Sequence, residues 1–194
     1  DVALALAAYG AGSMLAALAL PRILTGVKDR TVMIFGAALL VATLAAIGLV
    51  FGQLGTQPLW PFLLVGWLAM GIGYSLCVTP SGRLLKRSSA DEDRPALFAA
   101  QFALSHVCWL VAYPMAGQIG ARFGMTPTFL VLAALGIVGV GLTLWLWPRK
   151  DPSMLYHTHP ELPSDHPHLQ EHGSDGHRHH FVIDDLHVGW PGKV

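Results

Sequence analysis

Hydrophobic positions fall into five long unbroken runs, residues 2–20, 31–51, 59–78, 96–115 and 128–147, and none of the five contains Asp, Glu, Lys or Arg. A bilayer core of roughly 30 Å takes about 20 residues of helix, which is the length of each run. A buried helix of a soluble protein can lack charge once, but hardly five times in succession. Nothing alternates with the period of a barrel strand, and backbone polar groups in lipid need partners within their own segment. The pattern therefore predicts an all-α membrane protein with five transmembrane helices. After Trp147-Pro148 the pattern changes abruptly. Residues 151–194 hold five prolines, nine histidines and few aliphatics. Such a segment cannot bury enough apolar area to fold alone and reads as a disordered tail. Two domains follow: a transmembrane helical domain over residues 1–150 and a His-rich tail over residues 151–194.

Charge sets the orientation. Arg22, Lys28 and Arg30 lie after the first run, and Arg83, Lys86, Arg87 and Arg94 after the third. Arg149 and Lys150 follow the fifth, and the two remaining connectors carry only Arg122. Alternate loops thus hold nine basic residues against one. By the positive-inside rule the nine are cytoplasmic, which puts Asp1 outside and the tail inside, as in a multi-pass protein of a bacterial inner membrane. Trp60, Trp145 and Trp147 mark span ends, where amphipathic rings favour the headgroup level.

Composition agrees. The chain is 53% hydrophobic and 12% charged with a mean hydropathy of +0.50, against about 25% charged residues in soluble domains. Its zero net charge conceals +5 on residues 1–150 (10 basic, 5 acidic) and −5 on residues 151–194 (2 basic, 7 acidic). A secreted disulfide scaffold, a nucleic-acid binder and a soluble enzyme are excluded. Cys77 and Cys108 both sit in apolar runs, where thiols are inert and suggest no disulfide or zinc finger. No basic segment precedes the first run, so it is not a signal peptide, and the chain reads as part of a longer one.

Within the runs, small residues recur at helical spacing in the rows Ala8, Gly12, Ala16 and Gly71, Ser75, and in the trio Gly136, Gly139, Gly141, which predicts close helix packing. The acidic trio Asp91-Glu92-Asp93 is placed to stabilise the start of the fourth helix through its dipole. That fourth run is the polar one. Gln101, Ser105 and Cys108 share one helical face; His106, Trp109 and Tyr113 share another about 100° away. Lipid penalises Gln101 and His106, so both are expected to face the bundle or a water-filled path. His106 is the one histidine within a run. Histidine can carry a proton near neutral pH or offer a neutral nitrogen to a soft cation. Gln101, Ser105, His106 and Tyr113 are therefore the candidate transport-path residues, against the simpler reading of interhelical hydrogen bonds. No nucleophile–base pair, HExxH, phosphate loop or paired intramembrane carboxylate suggests an enzyme.

Tyr9-Gly10-Ala11-Gly12-Ser13-Met14, followed by Leu20-Pro21-Arg22-Ile23-Leu24 and Lys28-Asp29-Arg30, resembles the eighth span and following cytoplasmic loop of the major facilitator superfamily. The sequence departs from that pattern at Thr25-Gly26, where an acidic residue often follows the leucine. The resemblance covers about residues 1–148 and implies spans eight to twelve of a twelve-span, alternating-access carrier. It also implies that the N-terminal half is the missing partner, beside the lipid bilayer and a small-molecule or metal-ion substrate.

The tail carries His157, His159, His166, His168, His172, His177, His179, His180 and His187. Three His-x-His pairs (157/159, 166/168 and 177/179) can each present two imidazoles to one ion from an extended chain, and Asp165, Glu171 and Asp175 add oxygen ligands. Imidazole suits zinc, nickel, copper and cobalt. A weak, multi-site metal buffer or sensor is expected; no resident cofactor is required, but transient nickel, cobalt or zinc fits. The tail is similar to those of bacterial nickel- and cobalt-resistance permeases of the same superfamily, which makes divalent-metal efflux by a proton-coupled exporter the first expectation. Its rivals are export of a drug or small organic metabolite with a regulatory tail, and a metal-binding membrane anchor that transports nothing.

Overall fold

The computed structural model describes residues 2–53, 59–149, 154–160, 162–173, 176–180, 182, 186 and 187. Five helices are long and apolar enough to cross a membrane: α1 Val2–Gly26, α2 Asp29–Gln53, α3 Leu59–Arg87, α4 Arg94–Phe123 and α5 Met125–Leu146. The tail adds β1 Met154–His157, α6 Pro167–His172 and β2 His177–His180. The chain divides into two compact units, one of Asp1–Gly82 with Ala100–Arg149 and one of Arg83–Ala99 with Lys150–Val194.

Four helices cover their predicted runs entirely and α5 stops one residue short of Trp147, while all five extend beyond the run at one end or both. α1 continues through Pro21 to Gly26, α3 through Pro80 to Arg87, and α4 through Pro114 to Phe123. Leucine, lysine and arginine are good helix formers, so the backbone keeps its internal bonds where the side chains turn basic. The connectors are correspondingly shorter than the charge pattern suggests. α4 meets α5 at Gly124 alone, whose φ of 85° lies in the left-handed region that glycine occupies without strain.

Packing in the helical unit begins at α1 and α3. A Cβ added at Gly12 would overlap the Leu68 carbonyl oxygen, and one at Gly71 the Tyr9 carbonyl oxygen. The two backbones thus touch through reciprocal glycines, and Tyr9 rests edge-on to Trp67 at 6.3 Å and beside Tyr74 at 5.9 Å. α2 approaches α3 in the same way at Gly36 and Gly73, where each Cβ would come within 2.9 Å of the other residue's carbonyl oxygen. Once the axes are this close, Ala16, Leu20, Val32 and Leu76 seal a small core against Leu24 and Ile72. α5 lies along α2, with Phe51 stacked on Phe129 at 5.8 Å. Arg30 Nε donates to the Trp147 carbonyl at 3.1 Å, placing a cation at the negative end of α5. Of the expected glycine trio in α5, Gly136 faces Val41, whereas a Cβ at Gly139 or Gly141 would meet nothing within 4 Å.

In the other unit, the acidic trio directly precedes α4. Asp93 accepts the Leu97 N–H through its carbonyl at 3.0 Å, and Asp91 pairs with Arg94 at 2.6 Å. In the tail, β1 and β2 run antiparallel, with His157 opposite His177 and Tyr156 opposite Arg178. Leu169 is the buried apolar side chain among the described tail residues. Among the described residues, Leu169 is thus the whole of the tail's buried apolar surface.

The two kinds of glycine give opposite expectations. Gly71→Ala should lower the SDS-titration unfolding midpoint, at a cost of about 1–3 kcal/mol, because the added methyl overlaps backbone. Gly139→Ala, made into open space, should leave the midpoint unchanged or raise it slightly. Equal effects at both positions would contradict this packing.

Candidate functional site

Two sets of polar side chains stand out, one in each unit. The first runs along α4, a helix that buries no residue among those described. Gln101 Nε2 donates to Ser81 Oγ on α3 at 2.9 Å, so this expected path residue ties two helices together. Ser105 Oγ donates to the Phe102 carbonyl at 2.7 Å, and His106 Nδ1 reaches the same oxygen at 2.8 Å. A carbonyl only accepts, so Nδ1 carries the hydrogen in the neutral ring and Nε2 keeps its lone pair. The His106 ring lies 3.9 Å from Phe102 and 4.7 Å from Trp109, and Trp109 stacks on Tyr113 at 6.1 Å. A ladder of three aromatic rings with one imidazole therefore climbs the helix. Tyr113 at its end is 67% exposed. Gln101 is turned toward α3, while Ser105 and His106 share one carbonyl and Tyr113 stands two turns on.

Cys77 donates its S–H to the Met33 carbonyl at 3.5 Å, while Cys108 is exposed. Sequence reasoning missed Ser81 as the partner of Gln101 and Arg30 as the cap of α5. A serine at a span end and an arginine in a basic loop carry no signal of either role.

The second set lies in the tail. His157, His159, His168 and His187 each offer a ring nitrogen, and these four atoms lie within 4.8 Å of one another. His157 closes β1, His159 follows two residues on, His168 sits in the first turn of α6, and His187 arrives from beyond β2. His157 Nδ1 donates to the Leu155 carbonyl at 3.3 Å, which leaves the Nε2 lone pair facing His187 Nε2 at 2.9 Å. His177 Nδ1 donates to the Gly173 carbonyl at 3.0 Å, and its Nε2 stands 3.1 Å from His168 Nε2. His177 thereby orients His168, the kind of support that fixes the ring of a metal ligand. His159 and His187 are buried.

The three sequence-adjacent pairs fare differently. His157 and His159 come together, with ring centroids 4.9 Å apart. His166 and His168 separate, because His166 caps α6 by accepting the His168 N–H at 3.3 Å. In the third pair His177 joins the cluster, while the side chain of His179, like those of His172 and His180, lies outside the described residues. Asp165 and Glu171 are exposed, and Asp175 lies outside the described residues. The described cluster is built from imidazoles alone. Four neutral nitrogens converging from separate segments can hold a borderline-soft divalent cation.

The family model described as the Major Facilitator Superfamily matches residues 1–171, which takes in all five long helices and the start of the tail. No curated protein and no solved structure matches the chain. With five apolar helices of spanning length and a family match over most of its length, the chain belongs to the major facilitator superfamily of membrane transporters.

Proposed function

We propose that these five spans serve in a proton-coupled exporter of divalent metal ions, nickel and cobalt first, in a bacterial inner membrane. The observation that carries the proposal is the convergence of His157, His159, His168 and His187 on a chain of a transporter family. The spans work with the other half of a twelve-span carrier, and substrate passes between the two halves. The nine-to-one bias of basic residues supports a cytoplasmic tail. There the tail captures ions before they enter the carrier. His106, with its Nε2 lone pair, is the residue suited to exchange a proton for the cation. Gln101, Ser105 and Tyr113 are the polar neighbours on the same helix.

One observation favours a second reading. The ladder of Phe102, His106, Trp109 and Tyr113 also suits a flat organic cation, which would make the carrier an exporter of organic molecules with a regulatory tail.

A reporter fused after Val194 should read cytoplasmic; a periplasmic signal would reverse the assignment of every loop. In the whole carrier, His106→Ala should abolish export or remove its dependence on the proton gradient while expression stays normal. Unchanged transport with unchanged pH dependence would leave His106 as packing. Growth in rising nickel, cobalt and zinc separates the two readings. Deleting residues 151–194 should lower metal tolerance, and deleting the carrier should lower it further. If neither deletion changes tolerance, the organic reading replaces the metal one.

A further inference from the structure

The composition of the tail suggests a loose buffer with many weak sites, but its geometry is more specific. Four ring nitrogens from positions 157, 159, 168 and 187 lie within 4.8 Å of one another. A metal with nitrogen ligands at about 2.0–2.1 Å in tetrahedral geometry holds them roughly 3.4 Å apart, so a small contraction closes the set. His157 and His187, at 2.9 Å, need only open slightly to admit the ion between them. Four protein ligands complete a four-coordinate shell and leave no open position, the arrangement of a site that holds an ion for structure. The donors are neutral nitrogens with no carboxylate or thiolate among them, which disfavours calcium and magnesium and favours zinc, cobalt, nickel or copper.

The surroundings of the cluster say what such an ion would do. The tail elements are two four-residue strands and one six-residue helix. A lone two-stranded ribbon is marginal in water. Leu169 is the apolar side chain buried among the described tail residues, while His159, His177 and His187 are buried with it. Among the described tail residues, imidazoles occupy the place of a hydrophobic core. His187 draws the far end of the tail to β1, and His168 draws α6 to the same point.

We propose that one divalent cation bound by His157, His159, His168 and His187 is the folding core of the tail, so that metal binding converts it from open chain to a compact unit. His177 is a positioning residue that holds the ring of His168. The proposal rests on the metal-binding reading of the tail and adds to it a stoichiometry, a ligand set and a coupling to folding.

The test uses the complete chain in lipid nanodiscs, stripped with a chelator and titrated with zinc and with cobalt. One tight equivalent per chain is expected, and bound cobalt should show the intense visible bands of four-coordination. Amide exchange in Met154–His157 and His177–His180 should slow by about tenfold or more on zinc binding. His187→Ala should lose the tight equivalent and the protection together, and should exchange like the metal-free wild type. His166→Asn keeps a helix-capping acceptor and should retain both. One tight equivalent with unprotected strands would overturn the folding proposal and leave a metal-binding tail standing. Wild-type binding by His187→Ala would overturn the ligand set. No tight binding by the wild type would remove this proposal and the metal reading beneath it.

Discussion

The close approach of α1 and α3, where Gly12 meets the Leu68 carbonyl and Gly71 the Tyr9 carbonyl, is the constraint from which the helical unit follows. Within a bilayer, apolar side chains gain nothing by leaving lipid for one another, so helices associate through close packing. Reciprocal glycines bring the two backbones together, and the second glycine contact, Gly36 with Gly73, sets α2 at the same spacing. Leu20 and Leu76 can then bury side chains that longer axial distances would leave in lipid. α5 follows α2 by side-chain packing, with Phe51 on Phe129 and Arg30 at the final carbonyls. α4 has no such glycine contact and is tied to α3 by the hydrogen bond from Gln101 to Ser81. It is also the helix that carries the imidazole and the aromatic ladder.

The sequence makes some of this legible and conceals the rest. Five spans are readable because lipid excludes charge over the whole length of a helix, and each predicted run lies on one of the helices found. Helix ends are less readable, since the exclusion stops at the headgroups while the helix continues, as α3 does to Arg87. The one-residue joint at Gly124 is hidden for the same reason. Gly12 and Gly71 stand in recognisable rows of small residues. Gly36 and Gly73 do not stand out, because a glycine contact depends on the partner's register as much as on its own. The polarity of Gln101 turns it toward the bundle, but nothing in the sequence marks Ser81 as the acceptor of its hydrogen bond.

The tail shows the same limit more sharply. Adjacent spacing finds His157 beside His159 but does not foresee that His166 and His168 part. His166 and His168 look like one chelating pair, but a helix begins between them, and that turns one ring into a cap and sends the other to the cluster. His187 has no His-x-His neighbour and still comes within 2.9 Å of His157. Among the described tail residues, imidazoles rather than apolar side chains make up most of what is buried.

The chain is part of a facilitator-type transporter, and the cargo we propose for it is the divalent cation that its imidazoles suit. Flux tests it most directly. Everted membrane vesicles from cells making the whole carrier, given an acid interior, should accumulate labelled nickel or cobalt above vesicles lacking it, and a protonophore should abolish the excess. Metal levels equal to those of carrier-free vesicles, with the proton gradient intact, would contradict the account.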